Sequence, residues 1–169
     1  LIVRDGWGEN PNSDHDTFNA IKLARTPCSD ALAQRYPSTL IATSGEEVGL
    51  NDGTMGNSEV GHQNLGAGRI VDQESVRITQ AVRDGSFFQN RALVKARNAA
   101  NQRGGSVHLL GIASDAGVHG LLTHLYACLE LCKKLGQDKV ALHLFSDGRD
   151  TGPFTGQAYV RAIEDECRK

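Results

Sequence analysis

The chain has 169 residues, 39% of them hydrophobic and 22% charged, which is enough apolar side chain for the core of one domain or of two small ones. Its 18 basic and 20 acidic residues give a formal net charge of −2. This balance lacks the positive excess of proteins that bind nucleic acid or an anionic membrane surface, so we expect neither partner. Affinity for a negatively charged substrate would have to come from local arginines.

None of the four cysteines lies in a C-x-x-C pair, so a zinc-site interpretation has no support. Cys128 and Cys132 are one helical turn apart and are predicted to fill an apolar helix face. A reducing, cytoplasmic setting is expected. Because the chain opens on "LIVRDGWG" without an initiator methionine, we expect a fragment or a processed product.

The first half of the chain alternates short apolar runs with helical patterns. "LIVR" at residues 1–4 and "STLIATS" at residues 38–44 predict two strands. Apolar residues at helical spacing predict helices in four segments: "TFNAIKLA", "CSDALAQRY", "QESVRITQAV" and "NRALVKARNAANQR".

The second half predicts a strand, a helix and a second strand, in "SVHLLGIA", "LLTHLYACLELCKKLG" and "KVALHLFS". This order favours two parallel strands joined by a right-handed crossover, and near-continuous apolar strands fit a sheet covered on both faces. The expected fold class is therefore α/β, built on a parallel sheet.

Polar segments follow the predicted strands, at the edge where ligands of parallel α/β sheets gather. "SDAGVHG" (residues 114–120) and "DGRDTGP" (residues 147–153) would bring His119, Arg149 and Asp150 to one rim. Arg149 offers a planar fork of donors for phosphate or carboxylate, and Asp150 a proton acceptor for a substrate hydroxyl. The alternative is a surface turn closed by an internal ion pair, with His119 an ordinary loop residue.

Two further positions also have two interpretations each. In "DGTMGNSEVGH", Ser58 at the start of a predicted helix is either a nucleophile near a phosphate-binding helix N-terminus or simply the helix cap. Asp5, after the opening strand, is either a metal ligand or part of an Asp-Gly turn.

The motifs resemble those of the cofactor-independent phosphoglycerate mutases, in the alkaline phosphatase superfamily. "DGWG", "NAIKLARTP", "TSGEEVGL", "MGNSEVGHQNLGAGRIV", "SDAGVH" and "DGRDTGP" occur in the family's order, from residue 1 to about residue 153.

The resemblance implies an isomerase that interconverts 3-phosphoglycerate and 2-phosphoglycerate in glycolysis through a phosphoserine intermediate. Ser58 would be the nucleophile and, with Asp5, a metal ligand; His119, Arg149 and Asp150 would bind substrate, Asp150 also acting as acid/base. Two divalent metal ions are implied, manganese or magnesium, and no 2,3-bisphosphoglycerate cofactor.

The family has two domains, and the resemblance implies an incomplete N-terminal piece of each: residues 1–72 of a metal-binding, phosphatase-like domain and residues 73–169 of a phosphotransferase domain. The family's other metal ligands would lie in sequence beyond this chain, so we expect the chain alone to be inactive and to need that remainder. Three departures stand out: Arg4 before the metal aspartate, and Gly120 and Leu121 where the family's "GGVHSH" has serine and histidine.

Two other functions remain open on the sequence. One is a metal-dependent phosphohydrolase of the same superfamily, which would lose its phosphoserine to water. The other is a non-catalytic module that binds a phospho-ligand through Arg149 and His119 without a metal.

Overall fold

The computed structural model describes residues 1–4 and 6–169 and divides the chain into two units, Leu1–Ala42 and Thr43–Lys169. The predicted metal ligand Asp5 lies outside the described residues. The predicted boundary between residues 72 and 73 stays a prediction. No helix in the described part of the chain combines the length and the apolar character needed to cross a membrane.

The first unit contains two short helices, α1 (Ala20–Leu23) and α2 (Pro27–Arg35), which confirms the two helices predicted there. The Asn19 side chain accepts hydrogen bonds from two backbone N–H groups in the first turn of α1 and so caps it. Pro27 opens α2, where its missing N–H costs nothing and its fixed φ suits the first turn.

The two strands predicted in the first 44 residues are absent, so those predictions are wrong. Residues 1–4 and 38–43 are irregular, and in the described residues neither segment takes part in a ladder. An apolar run becomes a strand only when a neighbouring chain segment accepts its backbone hydrogen bonds. Without one, Leu1, Leu40 and Ile41 are largely exposed.

The second unit is built on a two-stranded parallel sheet, as predicted. β1 (Val107–Ala113) pairs with β2 (Val140–Ser146) in continuous register. Helix α6 (Leu122–Lys134) joins them. Four further helices belong to this unit: α3 (Ser58–Ala67), α4 (Glu74–Asp84), α5 (Arg91–Gln102) and α7 (Gly156–Cys167). The α/β class and the strand–helix–strand order are confirmed, whereas α7 was not predicted.

Helices α6 and α7 supply much of the core beside the sheet. Leu131 and Cys132 of α6 are buried, and Ile163 of α7 is only 2% exposed. Burial raises the pKa of the thiols of Cys128 and Cys132, and both are free. The prediction that these cysteines fill an apolar helix face is confirmed.

A second, smaller cluster anchors the start of α3, and it consists of Val48, Leu50 and Val60. Asn64 connects the chain segments before and after α3. Its side-chain amide donates to the Val48 carbonyl at 3.0 Å and accepts from the Val71 N–H at 2.8 Å. The Gly-rich segment that leads into α3 is therefore held at both ends.

Gly49, between Val48 and Leu50 of this cluster, is expected to be sensitive to substitution. It has a φ of +81°, and a Cβ added there would contact the Val71 carbonyl, lying 2.8 Å from its carbon. We expect Gly49→Ala to lower the free energy of unfolding by about 2–5 kcal/mol, from left-handed strain plus overpacking. Urea denaturation measures this.

Gly53→Ala is the matched control, because Gly53 also has a positive φ, +74°, but open space around its Cβ position. Gly53→Ala should lower the free energy of unfolding by only about 1–2 kcal/mol, the cost of placing a residue with a Cβ in the left-handed conformation. Equal losses for the two variants would contradict the packing described for Gly49.

Candidate functional site

Helix α3 places Ser58 at its first residue, but Ser58 is not the cap. The cap is Asn57, whose side-chain oxygen accepts the Val60 N–H at 3.0 Å. The cap interpretation of Ser58 is therefore wrong. The Ser58 side chain is exposed, and in the described residues its hydroxyl has no hydrogen-bond partner. The hydroxyl thus lies exposed at the positive end of a helix.

The rim formed by the carboxyl ends of β1 and β2 brings the two polar segments together. Ser114, only 1% exposed, donates its hydroxyl proton to Asp147 Oδ2 at 2.8 Å. Asp147 Oδ1 accepts the backbone N–H groups of Arg149 and Asp150, each at 2.9 Å. This carboxylate therefore links the segments after the two strands and fixes the turn that carries Arg149 and Asp150.

The side chains of His119, Arg149 and Asp150 meet on this turn. Asp150 Oδ2 lies 3.7 Å from His119 Nε2, and Asp150 Oδ1 lies 4.0 Å from Arg149 Nε. Both distances are too long for hydrogen bonds. The Arg149 side chain is 88% exposed, and that of Asp150 21%. The carboxylate thus lies between an imidazole and a guanidinium whose donors are open to a ligand.

Hydrogen bonds from the backbone N–H groups of Asp150 and Arg149 and from the Ser114 hydroxyl lower the pKa of Asp147. A carboxyl whose pKa is lower in the folded than in the unfolded chain stabilises the fold at pH values above its unfolded-state pKa, which is about 3.9 for aspartate. This stabilisation is lost as the pH falls through the folded-state pKa. We expect Asp147→Asn to destabilise the chain at neutral pH, with the difference from wild type shrinking as the pH falls below about 4. Urea unfolding at about pH 7 and pH 3 measures this; a pH-independent difference would contradict it.

One contact of this rim, between α7 and the segment after β1, was not predicted from the sequence. The Tyr159 hydroxyl donates to Asp115 Oδ1 at 2.5 Å, and this hydrogen bond raises the pKa of Tyr159. The signal was present, since Val160, Ile163 and Cys167 have the spacing of a helix face. Asp115 thereby anchors α7 beside the rim.

Ser58 and the rim are not joined by a hydrogen bond or ion pair in the part of the chain that the structure describes. Their segments do approach one another, because a Cβ added at Gly117 would lie 3.8 Å from Thr54 Oγ1. Among residues 1–4 and 6–169, no group of three or more His, Cys, Asp or Glu residues is placed to hold a metal ion. The described residues therefore do not by themselves form the two-metal site that the mutase resemblance implies.

Comparison with known proteins identifies the family. A family model described as "BPG-independent PGAM N-terminus (iPGM_N)" matches residues 78–169, more than half of the chain. The chain belongs to the iPGM_N family.

Curated relatives match the chain over nearly its whole length. A 2,3-bisphosphoglycerate-independent phosphoglycerate mutase of Rhodopirellula baltica is 54% identical over 169 residues, covering 99% of this chain and 31% of the relative. One of Moorella thermoacetica, with the same name, is 52% identical over 169 residues, covering 100% and 32%. The chain thus spans about a third of the length of the curated relatives it matches.

A solved structure extends the likeness to the fold. It is described as that of Leishmania mexicana phosphoglycerate mutase at low cobalt concentration, and its TM-score is 0.72 at 32% identity. The likeness covers 97% of this chain and 30% of the Leishmania chain.

Two departures from the mutase motifs have local structural explanations. The Arg4 guanidinium donates to Ser29 Oγ at 2.8 Å and lies 4.2 Å from the centre of the Trp7 ring, so other groups hold it. A Cβ at Gly120 would lie 2.9 Å from Ile112 Cγ2. The serine of the family's motif would therefore require Ile112 to shift.

Proposed function

We propose that this chain forms part of an isomerase that interconverts 3-phosphoglycerate and 2-phosphoglycerate through a phosphoserine. The observation that supports this most is the rim of β1 and β2, where the Asp150 carboxylate lies between His119 and Arg149. The mutase names of the relatives give the substrate class. The mutase as a whole is longer than this chain, which supplies one part of its site.

At the rim, we assign binding to Arg149 and His119 and proton transfer to Asp150. The exposed guanidinium presents paired N–H donors, which suit the phosphate or carboxylate of phosphoglycerate. His119 adds a donor on the other side of the carboxylate. With the two anionic ends of the substrate bound by Arg149 and His119, the glycerate hydroxyl would lie beside Asp150. The Asp150 carboxylate could then take or return the proton of that hydroxyl.

Ser58 is the proposed nucleophile. Ser58 would first lose its hydroxyl proton to solvent, and the alkoxide would form a bond to phosphorus as the bond from phosphorus to the glycerate oxygen breaks. Asp150 would give a proton to the departing glycerate oxygen. In the return step, Asp150 takes the proton of the other hydroxyl, which attacks the phosphoserine and frees the Ser58 oxygen. The N–H groups at the start of α3 stabilise the transferring negative charge.

The remaining parts of the proposal concern the mutase beyond this chain. We propose two divalent metal ions, manganese or magnesium, with Ser58 and Asp5 among their ligands and the other ligands outside the chain. Such ions lower the pKa of a bound hydroxyl and neutralise phosphoryl charge. We also propose a cytoplasmic location and, in keeping with the names of the relatives, no 2,3-bisphosphoglycerate cofactor.

A coupled assay for 2-phosphoglycerate formation tests the proposal, run with manganese on this chain and on a full-length protein in which it is continued to the length of its relatives. We expect turnover only from the full-length protein, with a Ser58→Ala sample exposing any host mutase. An inactive full-length protein would overturn the proposed mutase activity. Turnover by the 169-residue chain alone would overturn the proposal that sequence outside this chain completes the site. Release of inorganic phosphate instead of 2-phosphoglycerate would favour the phosphohydrolase.

A further inference from the structure

One face of the two-stranded sheet carries a histidine pair that the proposed function does not use. The register places six residues on this outer face: His108, Leu110 and Ile112 of β1, and Ala141, His143 and Phe145 of β2. The opposite face is less exposed, since Val107 and Leu109 are half-buried whereas His108 and Leu110 are exposed. On the outer face Leu110 is 66% exposed and Phe145 60%.

His108 and His143 meet diagonally across the two strands, since the register pairs His108 with Ala141 and His143 with Leu110. His108 Nδ1 lies 2.8 Å from His143 Nε2, and the rings stack with centroids 5.1 Å apart and planes 24° from parallel. Both side chains are exposed, so an ion can reach them from solvent. The two imidazoles are therefore already held side by side with nitrogen facing nitrogen.

The distance between His108 Nδ1 and His143 Nε2, 2.8 Å, is close to the distance between two nitrogens that bind the same metal ion. With metal–nitrogen bonds of about 2.0–2.1 Å and tetrahedral angles, two imidazole nitrogens lie roughly 3.3 Å apart. To bind one ion together, the two nitrogens would separate by about half an ångström and each ring would turn by roughly 35°, so that both lone pairs point at the ion. The proton between the two nitrogens would move to another ring nitrogen or to solvent. The hydrogen bond lost in exchange is worth only about 1 kcal/mol net.

We propose that His108 and His143 bind one divalent transition-metal ion of the kind that prefers imidazole, such as Ni²⁺, Cu²⁺ or Zn²⁺. The other neighbours on the outer face, Leu110 and Ala141 among them, offer no donor atoms, so water completes the coordination. Two imidazoles favour these ions over Mn²⁺, which binds nitrogen donors most weakly of the first-row divalent ions.

Isothermal titration calorimetry of the untagged, metal-stripped 169-residue chain with Ni²⁺ tests the proposal. Nickel is chosen because the free cysteines would compete for softer ions. We expect one site that is weakened at least about tenfold in His108→Gln and in His143→Gln, because a lone imidazole loses the chelate.

The matched control is His15→Gln, since the His15 ring is hydrogen bonded by Asn10 and Asn12 rather than by another histidine. Its titration should equal that of the wild type. No wild-type site, or a site unchanged in both pair variants, would overturn the proposal and leave the pair as a hydrogen bond only.

A second measurement needs no variant and so does not depend on how the variants fold. Paramagnetic Ni²⁺ at substoichiometric amounts should first broaden the NMR signals of the His108 and His143 rings. Broadening that begins at other histidines, or at all six together, would contradict the site.

Discussion

Replacing Ser58 with alanine is expected to abolish the mutase turnover of the full-length protein while leaving the fold intact. A nucleophile has no substitute in covalent catalysis, so the rate should fall by roughly 10⁴-fold or more. The exposed Ser58 hydroxyl has no partner in the described residues, so its removal breaks no contact there. The coupled assay measures the first effect and urea denaturation of the 169-residue chain the second.

Asn57→Ala is the matched control for stability, because Asn57 is the cap of α3. Its loss should cost about 1 kcal/mol, whereas Ser58→Ala should stay within about 0.5 kcal/mol of wild type. If Ser58→Ala destabilised the chain as much as Asn57→Ala, or if the full-length variant kept full activity, the assignment of Ser58 as nucleophile would fail.

Replacing Asp150 with asparagine is expected to lower kcat of the full-length protein by about 10²–10⁴-fold. Asparagine keeps the size of the side chain and the backbone N–H that Asp147 accepts, but it cannot take a proton from the glycerate hydroxyl. Steady-state kinetics should therefore show a large fall in kcat with a smaller change in KM.

Asp138→Asn controls for the loss of one negative charge, because Asp138 is exposed and precedes β2, at the end of the strand away from the rim. It should leave both kinetic constants near the wild-type values. A variant Asp150→Asn with unchanged kcat and raised KM would mean that Asp150 only binds substrate.

The sheet and its rim could be predicted because their signals are local. A strand, a helix and a second strand follow one another in "SVHLLGIA", the helix and "KVALHLFS", and such a connection between parallel strands is right-handed. Parallel pairing of the two strands places residues 114–120 beside residues 147–153. The contacts of Ser114 with Asp147 and of His119 with Asp150 follow from this topology.

The errors arose where structure depends on distant partners or on a choice between adjacent residues. Residues 1–4 and 38–44 read as strands from composition, but a strand needs a pairing segment that no local pattern specifies. At the start of α3, Asn57 and Ser58 are both good caps, and only the structure shows that Asn57 takes the Val60 N–H.

The most direct test of the rim as a phosphoglycerate site is an NMR titration of the 169-residue chain with 3-phosphoglycerate. We expect saturable amide shifts confined to residues 114–120 and 147–153, weakened in Arg149→Ala and unchanged in Arg103→Ala, an exposed arginine just before β1. Absence of shifts in these two segments, or equal shifts in Arg149→Ala, would contradict the account.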